Sequence, residues 1–201
     1  MKICLFGGTF SPIHIGHLQM AKQVLDSLKF DAFYFIPTGD SYLKTDVLDA
    51  KLRLEMTRLG VKDYFGEDDR VIVSDVEVLR DGPSYSYETV LYFKERFTKE
   101  QLYFLVGEDS VCYMDKWKNP SIIFDNAKIL VCKRSLDKDQ LSSSIASLNK
   151  AYGADISVFE YDMPISSTYI RDNIYDGDKC KKMVTDSVYK YILDNNIYKD
   201  L

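Results

Sequence analysis

Two kinds of apolar spacing alternate along the chain. Short, nearly unbroken apolar runs end in glycine, proline or charge: "KICLFGG" at the start, then "DAFYFIPTG", "RVIVSDVEV", "LYFLVGED", "AKILVCKR" and "DISVFEY". Runs of this length between breakers predict buried strands. The stretches between them are longer and amphipathic. "IGHLQMAKQVLDSLKF" carries Leu18, Ala21, Val24, Leu25 and Leu28 at helical spacing. "VLDAKLRLEMTRLG" sets Leu48, Leu52, Met56 and Leu59 on one face, with Gly60 as its expected stop. "SYETVLYFKERF" holds Tyr87, Val90, Leu91 and Phe97 in register. "DKDQLSSSIASLNKAYG" opens with Asp137 and Gln140 at capping-box spacing. "SSTYIRDNIYDG" and "KKMVTDSVYKYILDNN" predict two closing helices.

Strand–helix alternation throughout implies an α/β fold with a mostly parallel sheet covered by helices on both faces. Right-handed crossovers then make it doubly wound. The chain shows no repeat and no linker, and "GEDDR" (Gly66 to Arg70) reads as a charged surface turn, so residues 1–201 are read as one domain. Such sheets bind ligands at the carboxyl ends of their strands, where the strand order reverses. "GGTFSPIHIGH", "PTGDSYLK", "GED" and "PISSTYIR" all follow strand-like runs and can share one crevice.

Composition narrows the ligand. The net charge is -5, which disfavours holding nucleic acid by bulk attraction, so an anionic ligand needs a local positive site. The four cysteines, Cys4, Cys112, Cys132 and Cys180, lie far apart, as expected of reduced thiols in a cytoplasmic protein rather than a disulfide framework or zinc site. No signal peptide and no apolar run of membrane-spanning length stands out. The Tyr- and Phe-rich surface could support a homo-oligomer, though no one stretch specifies it.

The chain has two histidines, and both lie in "GGTFSPIHIGH". Gly7 and Gly8 let the backbone approach a ligand without a Cβ. Gly16 opens a helix whose unpaired N–H groups favour an anion. His14 and His17 are one helical step apart and could face one phosphate with ring N–H donors. They could equally cap the helix and satisfy core polar groups. No Walker loop, G-x-G-x-x-G fingerprint or third histidine for a metal is present. In "ISSTYIR", Ser166 is a natural N-cap, Ser167 and Thr168 bring hydroxyls to the first turn, and Arg171 can fork onto phosphate oxygens.

Gly8, Thr9, Phe10, Pro12, His14, Gly16 and His17 resemble the G-T-F-x-P-x-H-x-G-H signature of the His-x-Gly-His nucleotidyltransferases. Ile165, Ser166, Ser167, Thr168, Ile170 and Arg171 resemble their I-S-S-T-x-I-R signature. "FIPTG" with Lys44, "DGPSYSYETV", "VGEDSVCYMDKWKN" and "SVYKYILDNNIY" extend the likeness, over nearly the whole chain, to the bacterial nicotinate-mononucleotide adenylyltransferases.

That resemblance implies a Rossmann-like fold and transfer of AMP from ATP to nicotinate mononucleotide, releasing pyrophosphate. It implies that His14, His17 and Arg171 are catalytic. Gly8, Thr9, Phe10, Gly107, Asp109, Ser167 and Thr168 would join them in binding ATP. Thr38, Lys44, Tyr85, Ser86 and Trp117 would bind the acceptor. Mg²⁺ would be held mainly by the ATP phosphates, with no protein ligand assigned. Asp109 could also cap the helix after its strand, and Trp117 could serve the core. Ser11 stands where that family usually has Asp, "DSYLK" replaces a proline- and histidine-bearing loop, and Ser86 and Glu88 replace Thr and Asp. These departures gather on the acceptor side.

Overall fold

Apolar runs form the strands of a single sheet in the computed structural model, which describes residues 1–40, 47–133, 138–161 and 165–199. The strands are β1 (Lys2–Gly8), β2 (Ala32–Pro37), β3 (Val71–Val73), β4 (Gln101–Gly107), β5 (Lys128–Lys133) and β6 (Ile156–Glu160). The helices are α1 (Ile15–Ser27), α2 (Ala50–Phe65), α3 (Ser86–Arg96), α4 (Glu108–Val111), α5 (Pro120–Asn126), α6 (Lys138–Tyr152), α7 (Ser167–Asn173) and α8 (Asp186–Asp194). The strand order is β3-β2-β1-β4-β5-β6, with every neighbouring pair parallel. This is the doubly wound, Rossmann-like order, as the alternation predicts.

Side chains alternate across each strand and feed two cores. Cys4, Phe6, Phe33, Phe35, Leu105 and Leu130 face one side, where residues of α1, α2, α7 and α8 cover them. Ile3, Leu5, Ile36, Phe104, Val106 and Val131 face the other, under residues of α3, α4, α5 and α6. Burying each large apolar side chain contributes about 1.5–3 kcal/mol, so the near-continuous apolar runs suit the central strands, which are covered on both faces, while the edge strand β6 keeps exposed positions. Among the described residues, no helix is long and apolar enough to cross a membrane.

The sheet opens where the winding reverses. β1 and β4 stay paired only as far as Phe6 and Leu105. Beyond that, Gly7 and Gly8 follow β2, and Val106 and Gly107 follow β5. The two central strands therefore part at their carboxyl ends and leave a crevice between them.

Three helical expectations shift. α2 does not stop at Gly60; it runs to Phe65 and is capped by Gly66 at φ 62°. Gly60 lies inside it because a Cβ there would sit 3.0 Å from Ile13 Cγ2 and 3.4 Å from Val188 Cγ2. Its bareness lets the helix press against the first loop and α8. The buried face is accordingly rotated: Arg53, Leu54, Met56, Thr57, Gly60 and Val61 are buried, while Leu52 and Leu59 are only half-buried. In α3 the buried stripe is Thr89, Val90 and Phe93 rather than one including Leu91. "RVIVSDVEV" contributes three strand residues before it turns away. Asp137 of the expected capping box lies outside the described residues.

Candidate active site

The first loop leaves β1 at Gly8 and enters α1 at Ile15. A Cβ on Gly8 would lie 2.7 Å from Phe10 Cζ, so only glycine lets that ring fold back over the strand end. Phe10 adopts a left-handed backbone, φ 46°, and its side chain is buried. The ring stands edge-on to His17 at 5.2 Å and to Phe6 at 5.2 Å, forming an apolar floor under the imidazole. What Phe10 can offer a nucleotide is therefore its backbone. The Ser11–Pro12 peptide that follows is cis.

His14 is the N-cap of α1. Its Nδ1 accepts the His17 backbone N–H at 3.3 Å, and His17 Nδ1 accepts the His14 backbone N–H at 3.3 Å. The two rings stack with centroids 3.6 Å apart and planes 21° from parallel. This is a capping box built from two imidazoles. The capping reading and the phosphate reading thus divide one ring between them. With each Nδ1 accepting, the proton of a neutral ring sits on Nε2. Each histidine becomes a donor of fixed tautomer at the start of a thirteen-residue helix whose dipole favours an anion.

α7 brings the C-terminal motif onto this loop. Arg171 Nη1 donates to the Ser11 carbonyl at 2.8 Å, and Nη2 donates to Thr168 Oγ1 at 3.1 Å. Ser167 Oγ donates to the Pro12 carbonyl at 3.2 Å. That hydroxyl proton is committed, so Ser167's remaining donor is its backbone N–H. Ser166 caps α7 as expected, accepting from the Tyr169 N–H at 3.4 Å. Tyr161, just after β6, donates its hydroxyl to the Gly16 carbonyl at 3.0 Å.

Tyr198 reaches the same loop from beyond α8. Its hydroxyl lies 3.0 Å from Ser11 Oγ, and both groups are buried. Burial pushes this phenol up to about 12 against the pull of its hydrogen bond to Ser11 and of Arg171 and Arg53. The position where the family resemblance leads one to expect Asp therefore holds a neutral hydroxyl pair, and it lies against Arg171 rather than gathering with the other departures on the acceptor side as expected.

The acceptor side is organised around a buried guanidinium that sequence reasoning missed. Arg53 is only 2% exposed. It donates to three carbonyls: Leu48 from Nε at 2.8 Å, Thr9 from Nη1 at 2.8 Å and Gly39 from Nη2 at 3.1 Å. Glu77, also buried, accepts from Thr89 Oγ1 at 2.7 Å and from the Gly39 backbone N–H. Burial lifts the Glu77 carboxyl above its ordinary range, opposed by Thr89, Arg80, Gly39 and Arg53. Both backbone groups of Gly39 are thus gripped by ionisable side chains. A Cβ at Gly39 would fall 2.2 Å from the Glu77 carbonyl oxygen, so glycine is obligatory in this "PTG" turn.

Backbone bonds draw the predicted acceptor residues together. The Thr38 N–H donates to the Gly8 carbonyl at 2.9 Å, and the Ser84 N–H to the Asp40 carbonyl at 2.8 Å. Asp40 and Pro83 form a parallel bridge. Thr38 therefore lies beside the N-terminus of α3, where Tyr85 is the cap position and Ser86 the first residue. Trp117 is half-buried and edge-on to Phe104 at 6.3 Å. Phe104 lies under Gly7, 3.8 Å from where its Cβ would be. Trp117 thus serves the core on one face and borders the crevice. Gly107 is the N-cap of α4, and Asp109, exposed, sits in the first turn without capping it. Lys44 lies outside the described residues. Among the described residues, no three His, Cys, Asp or Glu side chains cluster as a metal site.

Residues 5–173 match the cytidylyltransferase-like family. A probable nicotinate-nucleotide adenylyltransferase of Clostridium botulinum (strain Kyoto / Type A2) is 33% identical over 200 residues, covering 97% of this chain and 98% of its own length. One from Clostridium tetani is 32% identical over 202 residues, covering 98% and 99%. Among solved structures, the Plasmodium falciparum nicotinic acid mononucleotide adenylyltransferase complexed with NaAD superposes with a TM-score of 0.77 at 17% identity, covering 98% of this chain and 97% of that one.

Proposed function

The chain belongs to the cytidylyltransferase-like family, in its nicotinate-nucleotide adenylyltransferase branch, and from that premise we propose the following reaction and roles. The enzyme transfers the adenylyl group of ATP to nicotinate mononucleotide, giving nicotinate adenine dinucleotide and pyrophosphate. An oxygen of the acceptor 5′-phosphate attacks the α-phosphorus in line. The bond from that phosphorus to the α–β bridging oxygen breaks, and pyrophosphate leaves with the electron pair. No protein nucleophile is needed, so the residues position the reactants and stabilise charge.

The observation that carries this reading is the reciprocal capping of His14 and His17 at the crevice. It fixes two Nε2–H donors where the triphosphate can lie on the N-terminus of α1, with His17 serving the α-phosphate. Arg171 spends two N–H groups on Ser11 and Thr168, which leaves the rest of its fork for the β and γ phosphates. Gly8, Thr9, Phe10 and Ser167 contribute backbone groups, and Gly107 and Asp109 border the adenosine. Thr38, Tyr85, Ser86 and Trp117 form the acceptor pocket, which Lys44 is expected to close.

The groups gathered at the first loop are donors, not the oxygen ligands that Mg²⁺ requires. When bound, Mg²⁺ would be held by the phosphate oxygens of ATP and would neutralise part of their charge. The four cysteines in thiol form suit a cytoplasmic setting, and residues 1–201 act as one catalytic unit.

The test is pyrophosphate release from ATP and Mg²⁺ with nicotinate mononucleotide, nicotinamide mononucleotide or phosphopantetheine offered separately. Fast release with nicotinate mononucleotide is expected. Release with phosphopantetheine alone, or with none of the three, would overturn the assignment.

A further inference from the structure

We propose that Lys118 lets the acceptor pocket read charge, its ammonium favouring a ring that bears a carboxylate over one that bears an amide. This rests on the proposed function and adds to it the basis for acid preference. Lys118 directly follows Trp117. Its Nζ lies 4.0 Å from the centroid of the Tyr85 ring, face-on. Tyr85 in turn stacks on Tyr87 with centroids 6.0 Å apart and planes at 28°. The lysine therefore joins the two aromatic residues assigned to the acceptor, although they are 32 positions apart in the chain.

What holds the ammonium is an aromatic face, not a counter-ion. Among the described residues no carboxylate lies within salt-bridge distance of Lys118. The acid of this cluster is already engaged: Glu88 accepts from the Tyr87 hydroxyl at 2.9 Å and from Arg80 Nη1 at 3.3 Å. Arg80 offsets that charge, so among the described residues no acid is paired with the lysine. A cation resting on a tyrosine face exchanges a weak partner for a strong one when a carboxylate arrives. A neutral amide offers it a hydrogen bond without the Coulomb attraction. A pyridine ring placed among Trp117 and Tyr85 brings its substituent beside this ammonium, so the pocket distinguishes the two mononucleotides by one unit of charge.

The experiment compares kcat/KM for nicotinate and nicotinamide mononucleotide in the unaltered protein, Lys118→Met and Lys118→Arg, with melting curves to show that all three are folded. Lys118→Met keeps most of the stem and removes the charge. Its acid-over-amide ratio is expected to fall about fivefold, the size of one solvent-touched ion pair. Lys118→Arg is expected to hold the ratio within about twofold, and in the unaltered protein the ratio should shrink between about 0.05 M and about 0.5 M salt as screening grows. An unchanged ratio in Lys118→Met would overturn the inference. So would equal losses with both substrates, which would mean that the lysine only supports Tyr85. Turnover of neither substrate by the unaltered protein would overturn the proposed function and this inference with it.

Discussion

The flank proposed to hold the triphosphate and the flank proposed to hold the acceptor are fastened in opposite ways. On the first, the ties run between segments 145 to 187 residues apart: Tyr161 to Gly16, Ser167 to Pro12, Arg171 to Ser11 and Ser11 to Tyr198. Three of them end on backbone carbonyls of the first loop and the start of α1, and three involve neutral hydroxyls, those of Tyr161, Ser167 and Tyr198. On the second, the ties are short in sequence and ionisable. Arg53 and Glu77 grip Gly39 from two sides inside the core. The first arrangement shapes the loop by many small contacts. The second concentrates the shape of the "PTG" turn in two buried groups, so it is stiffer and more vulnerable to a single change.

The sharpest way to break this contrast is at Arg53, because it alone also reaches Thr9 on the other flank. Arg53→Met removes this donor from three carbonyls, that of Gly39 buried and those of Leu48 and Thr9 partly buried. It should cost about 3–5 kcal/mol in denaturant unfolding, since each orphaned group costs about 1–3 kcal/mol and the site partly relaxes. His17→Ala should lower kcat about 10²–10³-fold, the range for losing one preorganised donor to a developing charge, with a loss of about 1 kcal/mol in stability from breaking half of the capping box. Near-normal turnover in that variant would remove the triphosphate flank's role. Tyr198→Phe should cost about 1 kcal/mol, one buried hydrogen bond, and lower turnover far less than His17→Ala does.

Glu77→Gln gives the smallest effect, in the pH profile of stability. Burial raises the Glu77 carboxyl above 4.5 in the fold. The folded state then keeps this proton at pH values where the unfolded chain has released it. The stability held below the unfolded value is lost as pH rises through the raised one. Relative to Glu77→Gln, the unaltered protein should therefore lose stability on going from about pH 4.5 upward, and parallel profiles would show that this carboxyl does not titrate as buried.

Legibility in the sequence follows the same division. The triphosphate flank is written in contiguous stretches, because a loop between a strand and a helix must supply its turn, its cap and its donors locally. Gly8, His14, His17, Ser166 and Arg171 could therefore be picked out together, and the parallel, doubly wound sheet followed from alternation. Arg53 could not, since a charged residue on an amphipathic helix reads as solvated. Its one local signal was Gly60 two turns later on the same face, which was read as a stop. Glu77, Lys118 and Tyr198 acquire their meaning only from partners brought by the fold. Lys118 is nonetheless adjacent to the lone tryptophan, and a cation next to an expected stacking platform was a signal that could have been used.

The tie from Tyr198 to Ser11 also sets an order of events during synthesis. At about 5–20 residues per second, roughly 10–40 s pass between the emergence of His14 and that of Tyr198. Through that interval the nascent chain can pair β1 with β2 and fold α1, yet the loop between them lacks α7 and its last hydroxyl partner. A ribosome-bound chain would therefore present the histidines before the lattice of bonds that shapes them exists. Competence for catalysis waits until α7 and Tyr198 have reached the first loop.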